Sequence, residues 1–267
     1  MINKDIETLI ISTAEKMIDK SCGTKKIKLL TQKHGRKIHF VPKKYRVFGG
    51  LLQSMNIQFG NFIEILMTTL VGNEPRYTIV EHYSGKRSNK FTLSQENSRL
   101  IDNYITKCQT ESDGYQNKHF NELLQKIQTN RAGMSDTFNH DIDLLFQDNA
   151  TKQHYFLEIK YNDDHDTGKF VDINRKFIKT YAYLSNELQI AKYDDLVPIL
   201  FFFNDKKMKG NIYVPEATNI MRGSTFFDEF LTKVDYSDLS GYMHTLSESK
   251  EVVKMFDDLY KKVMERE

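Results

Sequence analysis

The 267-residue sequence has little of what marks extracellular, membrane-spanning or zinc-binding proteins. Its two cysteines, Cys22 and Cys108, lie far apart without the spacing of metal ligands. We interpret both as free thiols, which predicts a reducing compartment, the cytoplasm. No apolar run approaches the roughly 20 residues that span a bilayer. Residues 2–20 lack a signal-peptide pattern and instead show the apolar spacing of an amphipathic helix.

Three common catalytic motifs are also missing. The eight histidines include no HExxH pair, which argues against a zinc site. There is no glycine-rich loop ending in Gly-Lys-Ser/Thr and no Gly-x-Ser-x-Gly, so nothing indicates a nucleotide cofactor or a serine hydrolase of that type. A lone histidine near a carboxylate, such as His140, is interpreted as a hydrogen-bonded surface residue.

Acidic residues are absent from Lys20 to Ile63, a stretch that we call the basic segment, although the net charge of the chain is only +2. A long stretch of one charge sign is either a phosphate-binding surface or a solvated loop, and the sequence leaves both open. Turn signals stand at Gly23, Gly35, Pro42 and Gly49-Gly50. The DNA-binding candidates in the segment are Lys33, Arg36, Lys37, Lys43 and Lys44.

Hydrophobic periodicity along the chain predicts an α/β sandwich with a mixed sheet. We expect one domain over 1–267, with an N-terminal helical and basic part at 1–50, a catalytic core at 51–235 and a helical closure at 236–267. The predicted helices are 2–20, Leu51 or Ile57 to Val71, Thr92 to Cys108, 119–129, 170–188, 224–231 and 247–264. The predicted strands are 76–84, a hairpin within 139–160, 196–203 and 211–215, with turns or loops at 85–90, 130–138, 161–169 and 204–210.

The hairpin carries acidic groups on both arms. In DIDLLF the side chains alternate, so Asp141 and Asp143 point away from the apolar residues. QDNATKQ forms the turn. In HYFLEIK, Glu158 and Lys160 share the face opposite the apolar side chains. Folding therefore sets one or two aspartates beside a glutamate and a lysine at one sheet edge.

This group of residues suits phosphodiester hydrolysis, which uses a divalent metal ion. Oxygen ligands favour Mg²⁺, and Asp143, Glu158 and the carbonyl of Ile159 could supply them. Lys160 could orient the attacking water or stabilise charge on the phosphate. The alternative is an ordinary strand, since Glu-x-Lys is common on alternating strands.

The segments D141-I-D143-L-L-F and F-L-E158-I-K160 resemble the PD-(D/E)xK nuclease superfamily, and the whole chain resembles a type II restriction endonuclease. The resemblance implies a restriction-endonuclease-like α/β core, a central mixed β-sheet flanked by helices, with extra N-terminal helical and basic elements in this chain. It also implies a Mg²⁺-dependent homodimer, with Mn²⁺ as a substitute. Such an enzyme cuts double-stranded DNA within a short palindromic or interrupted-palindromic site and leaves 5′-phosphates. Ile142 replaces the family's proline.

The first acid of the motif is either Asp143 or Asp141, and we rank Asp143 higher. The resemblance further implies that Glu64, in an apolar helix, is an additional metal or water ligand. The segment IMRGSTFFDEFL resembles the glycine-then-aromatic segment of restriction enzymes. Candidates for base readout are Asn162, Asp166 and Lys169 in the loop 162–169, together with the turn 204–210, and Arg175 is a further DNA-binding candidate.

Two other functions remain open from the sequence. One is a repair or junction-resolving nuclease of the same superfamily. The other is a catalytically silent DNA-binding protein that has kept the fold, against which the intact Asp143, Glu158 and Lys160 argue. A plain α/β protein without salt-dependent DNA affinity is the third and least informative alternative.

Overall fold

The computed structural model describes residues 4–111, 114–130, 133–164 and 166–265. The chain divides into two compact units, one formed by residues up to Leu66 together with Val234 onward, the other by Met67–Lys233. The described helices are α1 (Lys4–Cys22), α2 (Thr24–Gly35), α3 (Lys43–Gly72), α4 (Gln95–Thr110), α5 (Tyr115–Thr129), α6 (Thr167–Glu187), α7 (Gly223–Phe230), α8 (Tyr236–Ser247) and α9 (Lys250–Met264). The described strands are β1 (Tyr77–Ile79), β2 (Gly85–Ser94), β3 (Met134–Ile142), β4 (Leu144–Asp148), β5 (His154–Lys160), β6 (Leu196–Phe202) and β7 (Ile220–Arg222).

The unit Met67–Lys233 is built on a five-stranded sheet in the order β1-β4-β5-β6-β7. Strands β1, β4 and β5 are antiparallel, whereas β5, β6 and β7 run parallel. A separate antiparallel ribbon pairs β2 with β3. The predicted mixed sheet and its hairpin are therefore confirmed, with Leu144 opposite Leu157 in the hairpin register.

Helices cover both faces of this sheet, as neighbouring side chains on β5 show. Phe156 stacks on Phe177 of α6, with ring centroids 5.3 Å apart. Tyr155 points the other way, where its ring and that of Phe146 contact Phe230 of α7. A sheet covered on both faces favours continuous apolar strands, which explains the run of buried residues in β6. The predicted central strand at 196–203 is thus confirmed.

The polar ribbon was not predicted. The strand expected over 76–84 ends at Ile79, because the backbone of Tyr83 turns back to the carbonyl of Val80. Residues 85–90, expected to form a turn, instead begin β2 and pair with β3. Several of them are solvent-exposed, so the apolar alternation that signals a half-buried strand is missing. In the loop predicted at 130–138, residues 131 and 132 lie outside the described residues, and 134 onward belongs to β3.

Two further predictions are corrected because a side-chain oxygen accepts hydrogen bonds from nearby backbone N–H groups. The strand expected at 211–215 is absent from the described structure, because Asn211 Oδ1 accepts hydrogen bonds from the N–H groups of Tyr213 and Val214 and forms a turn. Helix α4 begins at Gln95 rather than near Thr92, because Ser94 Oγ accepts from Asn97 N.

The other unit is helical, and it corrects the prediction of loops in the basic segment. Residues 24–35 form α2, and α3 begins at Lys43 rather than at Leu51 or Ile57. Its end at Gly72 is one residue beyond the predicted Val71. Gly49 and Gly50 lie inside α3. A Cβ at Gly50 would lie 3.2 Å from Leu30 of α2, so glycine permits close packing of the two helices. The unit's core contains Ile27, Val47, Leu51, Met55, Leu259 and Val263.

Among the described residues, no helix combines the length and apolarity of a membrane span. Cys108 is a buried free thiol, and burial raises its pKa to about 11. The side chain of Cys22 lies outside the described residues. The prediction of free thiols is therefore confirmed for Cys108.

Candidate active site

Asp143 occupies the junction between the ribbon and the central sheet. Strand β3 ends at Ile142 and β4 begins at Leu144, so Asp143 alone separates two strands that belong to different sheets. The ladder of β4 with β5 ends at the pair Leu144–Leu157. Beyond it, Asp143 Oδ2 accepts a hydrogen bond from Ile159 N at 2.7 Å. The carboxylate thus takes the place of a backbone acceptor and is fixed against β5.

Glu158 and Lys160 leave the same face of β5 because they are two residues apart. The Lys160 ammonium nitrogen lies 2.7 Å from Glu158 Oε1, 3.3 Å from Asp143 Oδ2 and 2.8 Å from the carbonyl oxygen of Ile159. We call Asp143, Glu158 and Lys160 the carboxylate–lysine cluster. The sequence predicted Asp143, Glu158 and the Ile159 carbonyl as metal ligands, and one oxygen of each lies within 3.3 Å of this ammonium nitrogen.

In the cluster, burial and the neighbouring charges shift the pKa values in opposite directions, and the effect of the charges is larger. Burial alone would raise the pKa of Glu158, but the Lys160 ammonium and His140 hold it well below its usual range. Burial alone would lower the pKa of Lys160, but the carboxylates of Glu158 and Asp143 hold it above its usual range. Glu158 is therefore ionised and Lys160 protonated at neutral pH.

His140 is a neighbour of the cluster that the sequence reasoning missed. It lies on β3 with 18% of its side chain exposed, and its Nε2 is 3.5 Å from Glu158 Oε2. Both atoms are buried and have no hydrogen-bond partner among the described residues. The sequence predicted a hydrogen-bonded surface residue, whereas His140 is only partly exposed. No local pattern could have corrected it, because the proximity depends on the strand break at Asp143.

Asp141 makes a different contact from Asp143. Its Oδ1 accepts a hydrogen bond from Ser88 N on β2 at 2.6 Å, where the register of the ribbon shifts. None of its described contacts reaches the carboxylate–lysine cluster. The ranking of Asp143 above Asp141 stays a prediction, now with a structural reason. Glu64 is half-buried on the part of α3 that belongs to the first unit, and its role as an additional ligand also stays a prediction.

The DNA-contact candidates of the basic segment are exposed. Lys33 lies in the last turn of α2, Arg36 and Lys37 follow that helix, and Lys43 and Lys44 begin α3. Their side chains are accessible to a polyanion, as the prediction requires.

The candidates around α6 have structural partners. Asp166 Oδ1 caps α6 by accepting from Lys169 N at 2.9 Å, and Asn162 Oδ1 accepts from Asp164 N. Arg175 donates to Asp102 at 2.8 Å. Lys169 is exposed. Contact of these residues with DNA stays a prediction, and for Asp166 the capping role already accounts for the carboxylate.

The oxygen atoms of the cluster form a small set of possible ligands for a divalent cation. Among the described residues, no group of three or more histidine, cysteine, aspartate or glutamate side chains could hold a metal. The cluster instead offers two carboxylates and one backbone carbonyl, all within 3.3 Å of a single cationic nitrogen. Mg²⁺ takes one or two carboxylates and keeps several waters, so this smaller set fits a hard divalent cation.

Comparisons with known proteins agree with the resemblance noted in the sequence. The family model of the type II restriction endonuclease HinfI matches residues 2–247. The chain is 53% identical to the type II restriction enzyme HinfI of Haemophilus influenzae over 263 residues, covering 98% of this chain and 99% of the relative. No solved structure matches. The chain therefore belongs to the HinfI family of type II restriction endonucleases, whose activity is site-specific hydrolysis of DNA.

Proposed function

We propose that the chain cleaves double-stranded DNA with Mg²⁺ bound at the carboxylate–lysine cluster, on a core of the PD-(D/E)xK type. The observation that carries this proposal is the convergence of Asp143 Oδ2, Glu158 Oε1 and the Ile159 carbonyl on the Lys160 ammonium. Three oxygens that already surround one positive charge are suited to hold a divalent cation in place of the ammonium. Mn²⁺, which also favours oxygen ligands, is the natural substitute.

Asp143, Glu158 and the Ile159 carbonyl would hold the cation. When bound, it would polarise the phosphate and favour a hydroxide nucleophile at neutral pH. Asp143 is oriented for this task before any ligand arrives, because the N–H of Ile159 fixes its Oδ2. The Asp143 carboxylate is thus preorganised, and the rearrangement on cation binding is confined to the movement of Lys160 away from these oxygens.

Lys160 acts as a hydrogen-bond donor. A lysine ammonium has an ordinary pKa of about 10.4, so it still carries its protons at neutral pH after it leaves the carboxylates and is unsuited to take a proton from water. When released from the three oxygens, it remains tethered to the end of β5, where its N–H groups can hold a water or a phosphate oxygen. Its charge then stabilises negative charge that develops on the phosphate.

The proposal includes a homodimer with one active site for each DNA strand, in keeping with a two-fold symmetric site. The exposed cations of the basic segment would contact the DNA backbone. Phosphate contacts by lysine and arginine set the position of a protein on DNA without reading its sequence.

Plasmid cleavage tests the proposal directly. Asp143→Ala, Glu158→Ala and Lys160→Ala should each reduce Mg²⁺-dependent cleavage by about 100-fold or more while DNA binding persists. Asp172→Ala is the matched control, because this exposed carboxylate on α6 pairs only with Lys176 one helical turn away among its described contacts. Cleavage near the parent rate by all three cluster variants would show that the active site lies elsewhere.

A further inference from the structure

Beside the proposed active site, a lysine-bearing turn leaves the sheet. Residues 204–210, NDKKMKG, form this turn, which we call the lysine loop, and Lys206, Lys207 and Lys209 are exposed on it. Parallel pairing sets the end of β6 beside Lys160, which is in register with Phe202. The backbone continues the pairing, since Phe203 N donates to Lys160 O and Asn204 N donates to Tyr161 O, each at 2.8 Å. The lysine loop therefore starts at the sheet edge that carries the carboxylate–lysine cluster.

A buried carboxylate holds the loop from beneath. Asp163 is fully buried and accepts hydrogen bonds from Met208 N at 2.8 Å and Gly210 N at 2.9 Å. The Nη2 of Arg222 lies 3.1 Å from the same carboxylate and 2.7 Å from Glu216 Oε1. Burial acts to raise the pKa of Asp163, but these donors lower it below its usual range. The carboxylate thus stays charged and ties the loop to the scaffold.

Asp205, the acidic residue of the loop, accepts hydrogen bonds from another part of the protein. Asp205 Oδ1 accepts from the backbone N–H of Ser224 at 2.9 Å and from its hydroxyl at 2.7 Å, at the start of α7. Gly210 has a φ of +77°, a backbone conformation that other residues rarely adopt, so glycine suits this tight turn. The loop is therefore held at both ends and in the middle.

The ion pairs described for the lysines are exposed. Lys207 lies 3.4 Å from Glu216 and Lys209 lies 3.1 Å from Asp164, and all four side chains are at least a third exposed. Exposed pairs contribute little free energy, so another anion can replace them at small cost. A fixed loop also loses little conformational entropy when it binds a partner.

We propose that the lysine loop is an anchor for the DNA backbone, holding phosphates that flank the bond to be cut. The inference rests on the proposed active site, because it uses the location of Lys160 and Glu158 to fix where the DNA lies. The loop contributes affinity and placement, and sequence recognition lies in other residues. Asp163 and Arg222 are positioning residues that act through the loop.

The test is a variant with Lys206, Lys207 and Lys209 all replaced by Gln. Its affinity for a plasmid fragment that contains one mapped cut site is measured in Ca²⁺ at several salt concentrations. Near 0.15 M salt we expect binding about 10- to 100-fold weaker, with the log–log salt slope flattened by up to roughly 0.9 for each lost phosphate contact. The cleaved sequence should be unchanged.

The matched control replaces Lys118, Lys126 and Lys152 by Gln. These lysines are also exposed, but two lie on α5 and one in the turn that precedes β5, so none of them belongs to the lysine loop. The control should bind like the parent. Parent-like affinity and slope in the lysine-loop variant would overturn the proposal, and so would a changed cleavage sequence, which would mean that the loop reads bases.

A second experiment addresses the buried anchor. Asp163→Asn should increase trypsin cleavage after Lys206, Lys207 and Lys209, whereas a folded control, Asp172→Asn, should not. Unchanged protease resistance would show that Asp163 does not fix the loop. Affinity in Ca²⁺ does not depend on hydrolysis, so these results remain interpretable if Asp143→Ala cuts normally and the proposed active site fails.

Discussion

Asp143 Oδ2 accepts the N–H of Ile159 at 2.7 Å, which joins the strand break directly to the backbone of β5. Asp141, two residues earlier, uses its carboxylate for Ser88 N instead. The two aspartates therefore have different structural tasks, although a regular strand would place them on the same face.

This difference predicts unequal effects of the same substitution. Asp143→Asn should lower the cleavage rate by about 100-fold or more, because it removes a carboxylate that the proposed cation needs. Asp141→Asn should cost less than about tenfold, since it weakens only a contact within the ribbon. Single-turnover cleavage rates measure both variants. The reverse order would identify Asp141 as the first acid of the motif.

Replacing Lys160 by Met should separate cation binding from catalysis. Without the ammonium, the carboxylates of Asp143 and Glu158 lose their internal partner, so Mn²⁺ should bind about tenfold or more tightly while cleavage is lost. Calorimetric titration gives the affinity. Thermal unfolding provides the check on folding, because added Mn²⁺ should restore part of the stability lost by the variant. Weaker Mn²⁺ binding would argue that Lys160 supports the cation site rather than competing with it.

Ca²⁺ should support site-specific DNA binding without rapid cleavage. Its longer and more flexible coordination can use the same oxygen ligands, but it activates water less well than Mg²⁺. Gel-shift and cleavage assays on the same DNA fragment compare the two ions. Cleavage in Ca²⁺ alone at the rate seen with Mg²⁺ would contradict the proposed chemistry.

The hairpin turn supplies a pH-dependent contribution to stability. Burial acts to raise the pKa of Asp148, but the N–H groups of Ala150 and Thr151 and the side chain of Arg76 lower it. A lowered pKa stabilises the fold above the unfolded pKa, near 4, and this stabilisation is lost as pH falls through the folded value.

Asp148→Asn should therefore lower the free energy of unfolding by about 1–3 kcal/mol at pH 7, with a smaller difference near pH 3. Urea titrations at the two pH values measure it. Asp172→Asn, an exposed carboxylate, serves as the control. A difference that grows on acidification would mean that the ionised Asp148 carboxylate does not stabilise the fold.

The exposed cations of the basic segment lead us to a prediction about the salt dependence of DNA binding. Replacing Lys33, Arg36, Lys37, Lys43 and Lys44 by Gln should weaken binding to all DNA sequences about equally and flatten the salt slope by up to about one unit per lost contact. Competition binding with specific and unrelated DNA measures both effects. An unchanged slope would mean that these exposed cations lie away from the DNA.

The carboxylate–lysine cluster could be predicted because its signal is local. Glu158 and Lys160 share a face by strand periodicity, and the turn residues between the arms indicate the hairpin. The break after Ile142 could not be predicted, because a single residue that passes between two sheets leaves no mark in the apolar alternation. His140 was missed for the same reason.

The errors in the fold have two origins, a partner strand that is distant in sequence and a local side-chain contact. The polar residues of β2 form a strand because β3 supplies the partner, and partner strands distant in sequence are not visible in a short window. At 211–215 the apolar residues predicted a strand, and Tyr213 and Val214 are indeed buried, yet the Asn211 side chain accepts their N–H groups and forms a turn. Burial was therefore predictable there, whereas the backbone conformation was not.

The contacts of Lys160 also imply that two ligands of this enzyme are thermodynamically coupled. A divalent cation and a DNA phosphate each favour the state in which the ammonium has left the carboxylates, one by taking its place and the other by offering a new anion. By reciprocity, the factor by which DNA raises cation affinity equals the factor by which the cation raises DNA affinity. For the proposed cation site, the 2.7 Å ion pair between Lys160 and Glu158 thus predicts a higher cation affinity with DNA bound than without it.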